Sequence, residues 1–135
     1  MKVIVDTCIW SLAFRRSVDA NHEIVNELQE LIKEFKVQLI GPIRQELLSG
    51  IKSEKQFQTL KQRLRAFPDL EIKCGDYESA ARYFNQCRKN GIQGSNTDFL
   101  ICALSIQHNM AIFTTDEDFH YFQKLLLINL HSSRF

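Results

Sequence analysis

The stretch Met1–Trp10, MKVIVDTCIW, passes from an apolar strand to an acid to an apolar helix with no spacer residue. Val3, Ile4 and Val5 form a β-branched run, the kind that is buried on both faces of a parallel sheet. Asp6 ends the run. A carboxylate at the C-terminal end of a central parallel strand points into the crevice where open α/β sheets place their ligands. Thr7 offers an N-cap hydroxyl, so the spacing predicts a helix starting at Cys8 and running to Phe14.

The rest of the chain is in keeping with that opening. Its 135 residues, 44% hydrophobic and 24% charged, suit one compact domain spanning residues 1–135. The net charge of +1, from 17 Lys and Arg against 16 Asp and Glu, gives no bulk attraction to nucleic acid or membrane, so an anionic partner must meet a local patch. Cys8, Cys74, Cys87 and Cys102 include no CxxC pair, and no charged-then-apolar leader precedes the first strand. This predicts a reduced, cytoplasmic protein whose cysteines are small buried hydrophobes. His22, His108, His120 and His131 lack ligand spacing, which argues against zinc. Repeats, low-complexity segments and a membrane span are not evident.

In chain order, Asn21 is positioned to cap a helix with Ile24, Leu28, Leu31, Ile32 and Phe35 inside and Glu23, Glu27, Glu30 and Lys33 outside. Val37 to Ile40 reads as a second strand, and Pro42 fits the first turn of a helix reaching Gly50. Ser53 to Gln56 reads as a capping box, with Phe57, Leu60, Leu64 and Phe67 on the buried side of the helix it opens. A strand at Leu70 to Cys74 follows, then a helix capped by Asp76 and stopped by Gly91. Asp98 to Asn109 reads as helix, Met110 to Thr114 as strand, Asp116 to Leu125 as a short helical region and Leu126 to Leu130 as a last strand. Strands alternating with helices across short links predict an α/β fold: a three-layer α/β/α sandwich around a five-stranded parallel sheet.

In such a sheet every strand's C-terminal end lies on one edge, which brings residues after different strands together. Asp6 and Asp116 are two of these. Glu46 falls at the margin of the apolar arc of its helix, where a carboxylate can turn inward, and Asp98 lies in the first turn of a late helix. Carboxylates so gathered repel one another and raise each other's pKa values, and a hard divalent cation bound through oxygen relieves this. Mg²⁺ or Mn²⁺ held in this way serves phosphodiester hydrolysis without a Cys, His or Ser nucleophile.

Four segments resemble, in order, the PIN-domain ribonucleases and within them the VapC-type toxins of bacterial toxin–antitoxin systems: Val5 to Trp10 with Arg15 following, Ile43 to Ile51, Asn96 to Ala103 and Phe113 to Phe119. The resemblance implies a metal-dependent endoribonuclease with Asp6, Glu46, Asp98 and Asp116 as catalytic, metal-binding quartet. It also implies Asp118 as an outer fifth acid, and Thr7 and Thr114 as hydroxyls that support the ligands. A sheet in the order 3-2-1-4-5, a homodimer, an RNA substrate and an antitoxin partner follow from the same source. Cys8 stands where serine is commoner in the family, and Cys102 where alanine is usual; neither change removes a ligand. RNA approaching an acidic cluster needs flanking cations, and Arg15, Arg16 and Arg44 are the candidates closest to the motifs. Two other classes fit less well. A phosphoacceptor receiver would need an acidic pair after the first strand and a strand-end lysine. A catalytically inactive PIN-like module that only binds protein or RNA would not need all four acids.

Overall fold

The computed structural model describes residues 1–15 and 22–135. The apolar run near the N-terminus forms β1 (Val3–Val5), buried throughout. On one side it pairs in parallel with β2 (Val37–Gln38), in the register Val3↔Val37 and Ile4↔Gln38. On the other side lies β3 (Ala111–Phe113), in the register Val3↔Ala111 to Val5↔Phe113, and beyond it β4 (Asn129–Leu130). The described sheet therefore has four strands in the order β2-β1-β3-β4, all parallel.

The expected fifth strand, at Leu70 to Cys74, contracts to a single parallel bridge, Leu39↔Asp69, with the Leu70 N–H donating to the Leu39 carbonyl at 3.0 Å. It still lies next to the β2 segment, the neighbour that the order 3-2-1-4-5 requires. Two local features shorten it. Pro68 has no N–H to give to a ladder, and Asp76 Oδ2 accepts from the Lys73 N–H at 2.8 Å, which draws the chain into α5 (Cys74–Lys89). Cys74, expected to be buried, is exposed as a result, whereas Cys87 and Cys102 are buried and Cys8 half-buried.

The chain crosses over in both directions from β1, an order that places helices on both faces of a parallel sheet. α1 (Thr7–Ala13) packs with α2 (Glu23–Lys33) and α3 (Gly41–Leu48), while α4 (Glu54–Leu64) rests on α3. On the β3 side lie α5, α6 (Asn96–His108) and α7 (Asp118–Gln123). α6 is buried from Phe99 to Ser105 without a break, as befits a helix sandwiched between the sheet and a neighbouring helix. The lone tryptophan, Trp10, is buried edge-on to Phe67 at 5.1 Å and donates its indole N–H to the Val5 carbonyl at 3.1 Å. No helix among the described residues is long and apolar enough to cross a membrane.

One acid expected to face solvent does not. Glu27 on α2 is 1% exposed and accepts from Arg134 Nε at 2.9 Å, with His131 Nε2 also 2.9 Å away. Helical spacing could not show this, because both partners come from the C-terminal segment. Burial alone would raise the Glu27 pKa, but the bonds from Arg134 and His131 outweigh it and hold the carboxyl below its ordinary value. The expected cap Asn21 lies outside the described residues. His22 serves as N-cap of α2, its Nδ1 accepting from the Ile24 N–H at 3.2 Å.

Two outcomes test this packing. A Cβ at Gly94 would meet Phe122 Cζ at 2.5 Å and Phe99 Cε2 at 3.0 Å, both in the core. Gly94→Ala should cost about 1–3 kcal/mol, read as a lower urea midpoint with an unchanged slope. Arg134→Ala should lower Tm by stranding Glu27. Because the folded pKa of Glu27 is depressed, the stability it contributes is present above its unfolded value near 4.5 and lost as pH falls through the folded one. The Tm gap between parent and variant should accordingly be full at neutral pH and close in acid; a gap independent of pH would exclude this ion pair as its source.

Candidate functional site

The β1–β3 ladder ends where the Asp6 N–H donates to the Phe113 carbonyl at 2.9 Å, which sets Asp6 beside the turn that follows β3. Asp6, not Thr7, is the N-cap of α1: its Oδ1 accepts from the Thr7 N–H at 2.8 Å. That shift by one residue frees the Thr7 hydroxyl, which donates to Glu46 Oε2 at 2.7 Å and so ties α3 to the end of β1. Thr114 plays the matching part on the β3 side. Its Oγ1 donates to Asp6 Oδ2 at 2.8 Å and accepts from the Asp116 N–H at 3.0 Å. Cys8 Sγ completes the seat, 3.6 Å from Asp6 Oδ2 and accepting from the Thr115 N–H at 3.4 Å.

Asp98 enters from α6. Ser95 is the N-cap, accepting from the Asp98 N–H at 3.1 Å, while Asp98 Oδ2 accepts from the Ser95 N–H at 3.0 Å. This reciprocal capping box fixes the carboxylate. Ser95 thus acts as a positioning residue that the reading of Asn96 to Ala103 passed over, although the spacing Ser95-x-x-Asp98 carries the signal. Asp116 is held similarly, its Oδ1 accepting from the Asp118 N–H at 3.0 Å.

Of the expected quartet, the structure brings Asp98 and Asp116 into one metal-sized space, and Asp118 completes it: a carboxylate oxygen of each lies within 4.8 Å of the others. Asp6 borders the trio and Glu46 joins Asp6 through Thr7, but neither belongs to that mutual grouping. Burial is the main cause that raises the Asp6 pKa, with the Asp116 charge adding to it and the bonds from Thr114, Thr7 and Cys8 opposing. Asp98 is raised for the same reason, burial first and the charges of Asp6 and Asp116 after it, against the Ser95 bonds. Burial and the nearby Asp98 charge push the Cys102 thiol well up, which keeps it protonated and inert.

The expected RNA-facing arginines separate. Arg15 is exposed where the chain leaves α1, and Arg16 lies outside the described residues. Arg44 is turned to another use: Nε bonds Asp69 at 3.1 Å, Nη1 the Leu64 carbonyl at 3.2 Å and Nη2 the Phe67 carbonyl. Its guanidinium is spent on tying α3 to the segment after α4.

The donor set fits a hard divalent cation. It offers carboxylate oxygens only, and none of the ion pairs among the described residues engages Asp6, Glu46, Asp98, Asp116 or Asp118. Among the described residues, one carboxylate oxygen each on Asp98 and Asp116 takes a backbone N–H and the other is left for a ligand. A parallel α/β sheet with such a cluster at its C-terminal edge defines an α/β domain with a candidate cation site. Residues 3–125 match the PIN domain model, and the chain belongs to the PIN domain family. Ribonuclease VapC11 of Mycobacterium tuberculosis is 28% identical over 137 residues, covering 98% of each chain. Among solved structures, VapBC2 from Rickettsia felis, bound to a DNA fragment from its promoter, has a TM-score of 0.77 at 19% identity over 97% of this chain and 98% of that one. A toxin–antitoxin complex from Klebsiella pneumoniae has a TM-score of 0.60 at 18% identity over 86% and 88%. At these identities the two structures show a shared fold.

Asp6→Asn tests the site through stability. With a raised folded pKa, the Asp6 charge costs nothing well below its unfolded value of 3.8, costs more as pH rises from there toward the folded value, and costs a constant amount above it. In chelator the variant should melt above the parent at neutral pH, and the gain should vanish near pH 3.8. A variant less stable than the parent at neutral pH would make Asp6 a helix cap and nothing more.

Proposed function

We propose that this chain is the toxin of a toxin–antitoxin pair: an endoribonuclease that hydrolyses RNA phosphodiester bonds with Mg²⁺ or Mn²⁺, acts in the cytoplasm as a homodimer of single PIN-like domains (1–135), and is restrained by a cognate antitoxin. The observation that carries the reading is the trio Asp98, Asp116 and Asp118, three carboxylates within 4.8 Å of one another at the C-terminal edge of a PIN fold. The name of the mycobacterial relative supports ribonuclease chemistry, and the Klebsiella complex supports the antitoxin.

In this reading Asp98, Asp116 and Asp118 hold the cation, and Asp6 and Glu46 complete the acidic set around the substrate. When bound, the cation offsets the charge of the scissile phosphate and activates water for attack. The chain's own groups do the positioning. Thr114 bridges Asp6 and Asp116, Thr7 holds Glu46 against the end of β1, and the Ser95 N–H holds Asp98 against the start of its own helix. Asp6, already bonded through both oxygens, keeps lone pairs for a further contact, since a carboxylate accepts about four bonds. Arg15, exposed at the end of α1, meets the RNA backbone.

Purified protein should cleave RNA in Mg²⁺ or Mn²⁺, lose the activity in chelator and regain it on adding the metal back. Asp98→Asn should abolish cleavage without unfolding, because Asn keeps an oxygen that can accept from Ser95. Its production in bacteria should leave growth intact where the parent arrests it. Undiminished cleavage by metal-free protein, or by Asp98→Asn, would overturn the assignment.

A further inference from the structure

The C-terminal end of β3 leads directly into the site, and its two sides are supported differently. On the β1 side the ladder runs to the last residue, with Val5 paired to Phe113 and the Asp6 N–H bonded to the Phe113 carbonyl at 2.9 Å. On the other side β4 pairs Asn129 with Ala111 and Leu130 with Ile112, and stops one residue short of Phe113. His131 supplies the missing support. Its N–H donates to the Ile112 carbonyl at 2.7 Å, and its ring stands edge-on to the Phe113 ring with centroids 5.2 Å apart. The ring is itself anchored. Glu27 of α2, 1% exposed, accepts from His131 Nε2 at 2.9 Å, and the same carboxylate takes the Arg134 backbone N–H at 3.3 Å and the Arg134 Nε at 2.9 Å. Hydrogen bonds are directional, so the buried carboxylate sets the orientation of the ring as well as its place.

We infer that His131 is a positioning residue for the acidic cluster: held by Glu27, its ring braces Phe113 and so fixes the point from which Thr114 reaches Asp6 and Asp116. This rests on the metal-dependent reading above and adds to it a residue outside the acidic set. The connection is short. Thr114 follows Phe113 directly, and its Oγ1 donates to Asp6 Oδ2 at 2.8 Å while accepting from the Asp116 N–H at 3.0 Å. A shift of Phe113 therefore moves both bonds at once, and Asp116 belongs to the trio whose oxygens lie within 4.8 Å of one another. A binding constellation needs its groups held to within about 0.5 Å, and Phe113, 2% exposed, sits in a core too closely packed to absorb a displacement. His131 adds no oxygen to the cluster, so its effect is on where the carboxylates stand and not on how many there are.

Mn²⁺ binding to the full chain, followed by the electron paramagnetic resonance signal of the free ion, tests this without cleavage. His131→Gln removes the ring and keeps an amide that can donate to Glu27. It should weaken Mn²⁺ binding roughly two- to thirtyfold, the range for coupling along a packed network. Thr114→Val should weaken binding as well, and adding His131→Gln to Thr114→Val should cost little more, because both act through one bridge. Leu64→Val, a core change on α4 that lowers stability away from β3, should bind Mn²⁺ as the parent does. Full additivity of His131→Gln and Thr114→Val overturns the inference, and so does an equal loss of affinity in Leu64→Val, which would make the effect a general loosening. Melts establish that each variant is folded, and His131→Asn carries the same cycle should His131→Gln not fold. A parent that binds Mn²⁺ and cleaves RNA, with unchanged Mn²⁺ affinity in His131→Gln, removes this inference alone. A parent that binds no Mn²⁺ removes the metal site and the inference with it. Binding that depends on His131 through Thr114 in a protein that does not cleave RNA keeps the inference and removes the catalytic reading.

Discussion

The parallel pairing of β1 with β3 is the constraint on which the rest of the structure depends. It aligns Val5 with Phe113 and so sets Asp6 beside the turn that carries Thr114 and Asp116, residues more than a hundred positions away. A slip of one residue would carry Asp6 into the buried ladder and set Val3, Ile4 and Val5 against different neighbours, which the close-packed core opposes. The register is therefore enforced by the core, and the site inherits its precision. Thr114 converts backbone alignment into side-chain alignment, because one hydroxyl donates to Asp6 while accepting from the backbone of Asp116.

The same arrangement sets stability against function. Asp6 and Asp98 are pushed toward their neutral forms by burial and by neighbouring acids, yet each is held by bonds that favour the charged form. A fold selected for stability alone would have little use for this balance. Aromatic packing nearby keeps the carboxylates from spreading apart. Phe99, one residue after Asp98, packs at a tilt against Phe122 at 4.7 Å, and Phe122 meets Phe119, one residue after Asp118, at 5.1 Å. Gly94 has no side chain because Phe99 and Phe122 occupy the space, so the turn that delivers Ser95 to its cap is fixed by the same cluster. The helices bearing Asp98 and Asp118 are thereby locked to each other.

Much of this was legible in the sequence because it is encoded locally. The β-branched run of β1, the N-cap of Ser53 and the alternation of strands and helices each depend on neighbours in sequence. What escaped depends on distant partners or on competition between local signals. Glu27 has the spacing of a surface residue and is buried because Arg134 and His131 come to it. The strand expected at Leu70 to Cys74 carries a plausible apolar pattern, but the cap at Asp76 takes its end into α5. Arg44 has the charge of an RNA ligand and the reach of a strut, and Asp69 with two carbonyl oxygens decides the matter. The members of the acidic set were readable as residue types, whereas their grouping was not. Asp118, the outer acid by the family resemblance, stands in the tight trio, because only Glu117 separates it from Asp116 and its own N–H binds that carboxylate.

That last contact shows how the site is preorganised. Asp116 accepts the N–H of Asp118 and Asp98 accepts the N–H of Ser95, so each carboxylate is oriented by the backbone of its own helix start. Such bonds cost no long-range coordination to form, and they leave the outward oxygens of two helices aimed at one point. Separating them would require the capping box of α6 or the bond between Asp116 and the Asp118 N–H to break, and the buried length of α6 resists any such shift. The repulsion between these acids is therefore not relieved by motion of the chain. A divalent cation would relieve it, and the way the two helices begin would then set the geometry of its site.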